Sequence, residues 1–351
     1  MTALLCLASF FAIPSTSRGL VFSDEMMEPR ETEPPDFPYW EHVTQRRYEG
    51  PTVIYLGAGW ALTARHVGRG EIFLKGRIIK PETFSRHTLL NADGTAADAM
   101  VFELSREAGL PNLPILPIAT EAPKVGEEVL MIGFGRLRNG RIDFGDPENP
   151  RAAYTWTDRG EKRWGTNRVE VTRIWQQQDR WLTRSIVMRF DPEDLEGTTE
   201  HEVSAALGDS GGAIFAKQDG KWRLAGLITS ISNLAGRPDH TTEHGDLTYA
   251  ADLSSYRDEI LRWTRPHCSN AQDDDADGAI DYPDDADCQS PDDDNERPCS
   301  LILGCGGRTD WAVLACLGIG VAIWTNARLQ RGRSRQRRRS RPDSTRASTT
   351  A

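Results

Sequence analysis

Gly208-Asp209-Ser210-Gly211-Gly212 is the stretch whose reading decides the fold of this 351-residue chain. A serine between glycines keeps its hydroxyl in the open while nearby backbone N–H groups converge on one point. Acyl transfer needs that arrangement, a nucleophile beside an oxyanion hole. The same residues also satisfy G-x-S-x-G, a serine on a sharp strand-to-helix turn of an α/β sheet. The rest of the chain must separate the two.

The formal net charge is −10, which argues against a nucleic-acid partner. That figure averages an Asp-rich block over 273–296 and an Arg-rich block over 328–341, and each is read separately. All six cysteines lie at position 6 or beyond 267, so the main body is held by its core alone. Cys268 and Cys288 flank the acidic block. A disulfide between them would close a loop of about 20 residues and contribute roughly 3 kcal/mol in an oxidising compartment; the alternative is two free thiols. The run from Leu4 to Ile13, followed by small residues and Pro14, fits the apolar part of a secretory signal over 1–17, although no Lys or Arg precedes it.

Residues 18–45, with Pro29, Pro34, Pro35 and Pro38, read as an extended, poorly ordered leader. From 46 to 264, short apolar runs such as Thr52–Leu56, Val129–Ile132, Ser185–Met188 and Leu224–Ile228 alternate with turn signals, the pattern of an all-β barrel or sandwich. Only Leu253–Trp263 reads as helix. A Cys/Gly-rich hinge over 299–310 precedes an apolar run over 311–327 and an Arg-rich tail over 328–351. That order predicts a transmembrane helix with a cytoplasmic tail and everything before it exported.

Upstream of Ser210 stands Gly59-Trp60-Ala61-Leu62-Thr63-Ala64-Arg65-His66-Val67, and between the two lies Asp98-Ala99-Met100-Val101-Phe102-Glu103-Leu104. These stretches resemble the histidine and aspartate motifs of trypsin-like serine proteases. The order His, Asp, Ser fits that family, whereas an α/β-hydrolase runs Ser, Asp, His and would need His240, His244 or His267, none in a matching context. The resemblance spans roughly residues 46–264. It implies an all-β fold of two six-stranded antiparallel barrels with the active site between them and a C-terminal helix. It also implies roles: Ser210 as nucleophile, His66 as general base, Asp98 as orienter, and the N–H groups of Gly208 and Ser210 as oxyanion hole. No cofactor for catalysis is implied, and the partner is a protein or peptide substrate.

Three departures matter. The Ile-Val-Gly-Gly stretch whose freed amino group normally meets the residue here numbered Asp209 is missing, so Asp209 is expected to lack its usual partner and activation to proceed without N-terminal insertion. The cysteines that usually bracket the histidine are absent. The long interval between Asp98 and Ser210, with Trp156, Trp164, Trp175 and Trp181, reads as a substrate-facing insertion or a surface hairpin. By motif offset, Ser204 is expected at the floor of the substrate pocket and Ile231 and Leu247 in its walls, with Thr229 and Ser230 also in the pocket. An uncharged floor and bulky walls predict small or medium apolar side chains at the cleaved position.

Asp273, Asp275, Asp277, Asp281 and Asp284, with Gly278 at the turn, have the spacing of an EF-hand loop and resemble the Asp-rich calcium repeats of exported proteins. They are the expected Ca2+ ligands. Gly304-Cys305-Gly306-Gly307, the apolar run and the Arg cluster resemble the C-terminal sorting tails called GlyGly-CTERM and Myxo-CTERM, which implies a sorting protease as a further partner. The function expected from all this is an exported, membrane-tethered serine endopeptidase. The alternative is a catalytically silent relative serving as a calcium-dependent surface binding module.

Overall fold

The computed structural model describes residues 19–23, 32–47, 50–106, 109–232, 234–270, 273, 275–291 and 293. Six strands close a barrel: Glu128–Gly133, Arg163–Gln178, Trp181–Arg189, Leu247–Asp252, Lys221–Ile231 and Ala213–Gln218, in spatial order. A further seven form one sheet, ordered Arg77–Ile79, Ile72–Leu74, Val43–Arg46, Thr52–Gly57, Trp60–Thr63, Ala96–Leu104 and Pro81–Leu90.

The expected pair of six-stranded barrels is therefore corrected to one closed barrel and one open seven-stranded sheet. The chemistry of the edges accounts for this. The two edge strands are joined through residue 80 alone, yet they form no ladder with each other. Pro81 has no N–H to give, Phe84 is at φ 68°, and the register on Ala96–Leu104 breaks between Pro81 and Arg86. An edge carrying a proline and a kink does not complete a barrel.

Period-2 alternation sorts the side chains of the open sheet. Val53, Tyr55 and Ala61 enter its own core with Met100 and Phe102. Ile54, Leu56, Leu62 and Val101 face the other way and join Leu130, Ile132, Phe215 and Leu227 of the barrel in a shared apolar cluster. One continuous core thus spans both sheets. The barrel interior is filled by Met131, Ile186, Met188, Ile214 and Ile228.

The Pro/Glu/Asp-rich stretch read as a leader is packed at both described ends. Val21–Phe22 pairs antiparallel with Val203–Ser204, and Leu20, Val21 and Phe22 are fully buried. Farther on, Phe37 joins the shared cluster, edge-on to Phe215. The helix expected over 253–263 begins later, at Arg257–Thr264, because Asp252 first accepts hydrogen bonds from Ser254 and Ser255 in a turn. Cys268 and Cys288 are disulfide-bonded.

Among the described residues no helix is long and apolar enough to cross a membrane. The expected membrane tether, and the membrane-held location drawn with it, are not carried forward on that ground. The stretches that suggested them, 1–17 and 299–351, lie outside the described residues.

Phe22→Ala is expected to cost about 3–5 kcal/mol, the range for removing a fully buried ring, read from the midpoint of urea unfolding. A cost under about 1 kcal/mol would place this segment outside the core.

Candidate active site

His66 sits on the turn that follows strand Trp60–Thr63, and Asp98 lies within the neighbouring strand Ala96–Leu104. Asp98 is fully buried. Its Oδ2 is 2.7 Å from His66 Nδ1 and its Oδ1 accepts the His66 backbone N–H at 2.9 Å. A proton on Nδ1 facing Asp98 leaves Nε2 as the acceptor. The Asp98 N–H in turn donates to Thr183 Oγ1 at 2.9 Å, so a barrel strand fixes the position of a residue of the open sheet. The His66 ring lies 6.3 Å from that of Trp181, which is buried.

His66 and Ser210 line one cavity of about 320 Å3. Ser210 is on the loop before strand Ala213–Gln218, between Gly208 at φ 100° and Gly211 at φ 83°, values that favour glycine. At Gly211 a Cβ would also stand 2.1 Å from Thr52 O. The Gly208 carbonyl accepts from both the N–H and the hydroxyl of Thr52, each at 3.3 Å. Among the described residues, the N–H groups of Gly208 and Ser210 have no protein acceptor. Two free donors beside a serine hydroxyl and an acceptor imidazole are the parts of an acyl-transfer site.

Asp209, expected to lack the family's usual partner, has three other donors. Its fully buried carboxylate accepts from Gly135 N–H at 2.6 Å, from Ala206 N–H at 2.8 Å and from Leu20 N–H. The glycines around it are required: a Cβ on Gly133 or Gly135 would meet its oxygens at 2.0 or 2.3 Å. Burial pushes the Asp209 carboxyl up to about 7, against the three N–H bonds that favour its ionised form. Sequence inspection missed Leu20 because a two-residue strand carries no periodic signal.

The pocket residues divide. Thr229, Ser230 and Ile231 line the cavity. Ser204 does not. It is buried, with its hydroxyl donating to Ala205 O at 3.2 Å, and Ala205, Ala206 and Leu207 form the wall instead. Trp156, from the interval read as a substrate-facing insertion or a surface hairpin, also lines the cavity, as does His240, which was not anticipated. Trp156 belongs to the hairpin Arg136–Asp146/Asn149–Gly160 and is held by donating its indole N–H to Thr242 Oγ1 at 2.8 Å and its backbone N–H to His240 O. The tryptophan-rich interval is thus two long hairpins, this one and Arg163–Gln178/Trp181–Arg189, and both reach the cavity, the second through Gln178. The strand Lys221–Ile231 keeps its ladder with Leu247–Asp252 out to Ile231, but its pairing with Ala213–Gln218 stops at Leu227. One edge of Thr229–Ile231 is left facing the cleft.

In the acidic segment, the carboxylates of Asp273, Asp275 and Asp277 approach within 4.8 Å of one another, as do those of Asp277, Asp285 and Asp287. These clusters can hold a metal ion through hard oxygen donors, without singling out calcium. Of the five expected ligands, Asp281 instead accepts the Asn270 N–H at 2.9 Å and Asp284 belongs to neither cluster. Desolvation, then Asp285, Asp275 and Asp277, hold the Asp287 carboxyl above the usual carboxylate range.

No family model and no curated protein matches the chain. Among solved structures it is similar to neuropsin, a serine protease expressed in the limbic system of mouse brain, at 17% identity and a TM-score of 0.43, covering 67% of this chain and 98% of that one. It is also similar to a mutant of human heparin-binding protein, at 15% identity and a TM-score of 0.42, covering 66% of this chain and 93% of that one. The likeness is distant and serine-protease-like in fold, and no conclusion about this chain rests on it.

Two outcomes are expected from the buried carboxyls. A chain beginning near Met26 lacks the Leu20 donor and the core segment around it, so its unfolding midpoint falls well below that of the full chain; equal midpoints would exclude a structural role for residues 19–23. Glu202 is likewise pushed up to about 7 by burial. A carboxyl raised on folding binds its proton more tightly in the native state, so stability is highest below the unfolded value and declines as pH rises from about 4 to about 7. Glu202→Gln is expected to flatten that decline by up to about 1.4 kcal/mol per pH unit, measured by urea unfolding across the range.

Proposed function

We propose that this chain is a serine-type endopeptidase whose catalytic body comprises residues 46–264 together with the packed segments 19–23 and 32–45. The observation that carries the reading is the buried Asp98 carboxylate paired with an exposed His66, on the cavity that also holds Ser210 and two unengaged N–H groups. Ser210 Oγ attacks the scissile carbonyl carbon as His66 Nε2 takes its proton. The carbonyl oxygen becomes an oxyanion held by the N–H groups of Gly208 and Ser210, each such donor being worth about 3 kcal/mol in the transition state. His66 then protonates the leaving amine, and the acyl-enzyme remains on Ser210. Water, deprotonated by His66, attacks it and frees the acid. Asp98 keeps Nδ1 protonated throughout and stabilises the imidazolium.

The free edge of Thr229–Ile231 supports binding of an extended peptide by strand addition. The wall of Ala205, Ala206 and Ile231 carries no formal charge and narrows the space, which favours small or medium apolar side chains at the cleaved position.

Purified protein is expected to hydrolyse a fluorogenic peptide library cut after Ala, Val or Leu. Ser210→Ala should abolish turnover, and Asp98→Asn, which puts His66 in the wrong tautomer, should lower kcat by roughly 10^4. A folded chain that cleaves nothing, or one whose turnover survives Ser210→Ala, refutes the reading.

A further inference from the structure

Three arginines stand on the His66 side of the cleft. Arg65 precedes His66 directly and is half-buried. Arg180, at the turn of the hairpin Arg163–Gln178/Trp181–Arg189, places its guanidinium 5.2 Å from the centre of the Trp181 ring, which itself lies against His66. Arg86 extends from strand Pro81–Leu90 opposite Phe102. Burial is the largest influence disfavouring the Arg65 charge; Arg86 and Arg180 add to it electrostatically, and Asp98 acts the other way. Three separate elements therefore bring like charges together beside the catalytic pair.

Among the described residues, no carboxylate forms an ion pair with any of the three. Asp98 is committed to His66 and Asp93 to Thr95. A chain with 52 acidic and only 42 basic residues has carboxylates to spare, yet the one that acts on Arg65 is Asp98, already paired with His66. Like charges brought together repel, and a bound anion would relieve that repulsion.

The same hairpin also reaches the cavity. Gln176 donates to Ser230 Oγ at 2.6 Å, beside the edge of Thr229–Ile231, and Gln178 lines the cavity. Arg180 stands at the turn just beyond Gln178. Resting on the peptidase reading, we propose that Arg65, Arg86 and Arg180 form a subsite that takes an acidic side chain of the substrate, upstream of the scissile bond. Guanidinium and carboxylate match as planar hydrogen-bonding forks, which a lone amine would not reproduce.

The test measures binding to Ser210→Ala protein, so it does not depend on turnover. Fluorescent tetrapeptide amides ending in Val carry Glu, Gln or Lys at the three upstream positions, and fluorescence polarisation gives Kd. Glu peptides are expected to bind roughly tenfold tighter than Gln peptides at low ionic strength and Lys peptides more weakly still. The gap should close in several hundred millimolar salt. The double variant Arg86→Ala/Arg180→Ala should abolish the Glu preference and leave the Gln peptides unchanged. Equal binding of Glu and Gln, a preference that survives the double variant, or no binding by any peptide overturns the subsite. The hydrolysis of the peptide library by wild-type protein reads the serine chemistry separately, so the two failures are distinguishable.

Discussion

The buried carboxylate of Asp209 is the constraint on which the rest of this structure depends. Its three N–H donors come from three distant stretches of chain: Leu20 in the N-terminal segment, Gly135 after the first barrel strand, and Ala206 just ahead of the nucleophile loop. A fully buried carboxyl tolerates that position only with such partners, since each unmet buried polar group costs about 1–3 kcal/mol. Satisfying it fixes the loop on both sides of Ser210 and forces glycine at 133 and 135, where a Cβ would overlap the carboxylate. The folded shape of Gly208–Gly212 is thus set from beneath, by atoms that never meet a substrate.

The cleft needs both halves of the fold. The open sheet supplies His66 and Asp98; the barrel supplies Ser210 and, through Thr183, the acceptor that holds the Asp98 backbone. Thr52 ties the two together. It donates to Gly208 O, its hydroxyl accepts the Phe134 N–H at 3.0 Å, and its carbonyl accepts the Thr63 hydroxyl at 2.9 Å. The shared cluster of Ile54, Leu62, Ile132 and Phe215 makes the same joint in apolar form. Shear between the sheets would therefore separate Ser210 from His66.

What was legible in the sequence was local or ordered along the chain. The order of His66, Asp98 and Ser210, the strand runs, the helix before Pro266 and the option of a Cys268–Cys288 bridge all follow from short windows. What was not legible depends on contacts between distant segments. The open edge arises from Pro81 and the φ of Phe84 acting on a register some twenty residues away. Trp156 reaches the cavity because Tyr154 and Thr155 pair with Thr241 and Thr242, a ladder no periodicity announces. The offset that put Ser204 at the pocket floor assumed a family backbone; here its hydroxyl turns to Ala205 O and the neighbouring alanines take the wall. In the acidic segment, spacing alone chose Asp281 and Asp284, whereas the turn brings Asp285 and Asp287 toward Asp277.

The central claim is that Ser210 is an activated nucleophile, and its covalent capture tests that most directly. Folded full-length protein treated with a small fluorophosphonate should gain the mass of one phosphonyl group, mapped by peptide mass spectrometry to Ser210 and absent in Ser210→Ala. A correctly folded chain that gains no adduct, or that keeps the adduct in Ser210→Ala, would contradict the account.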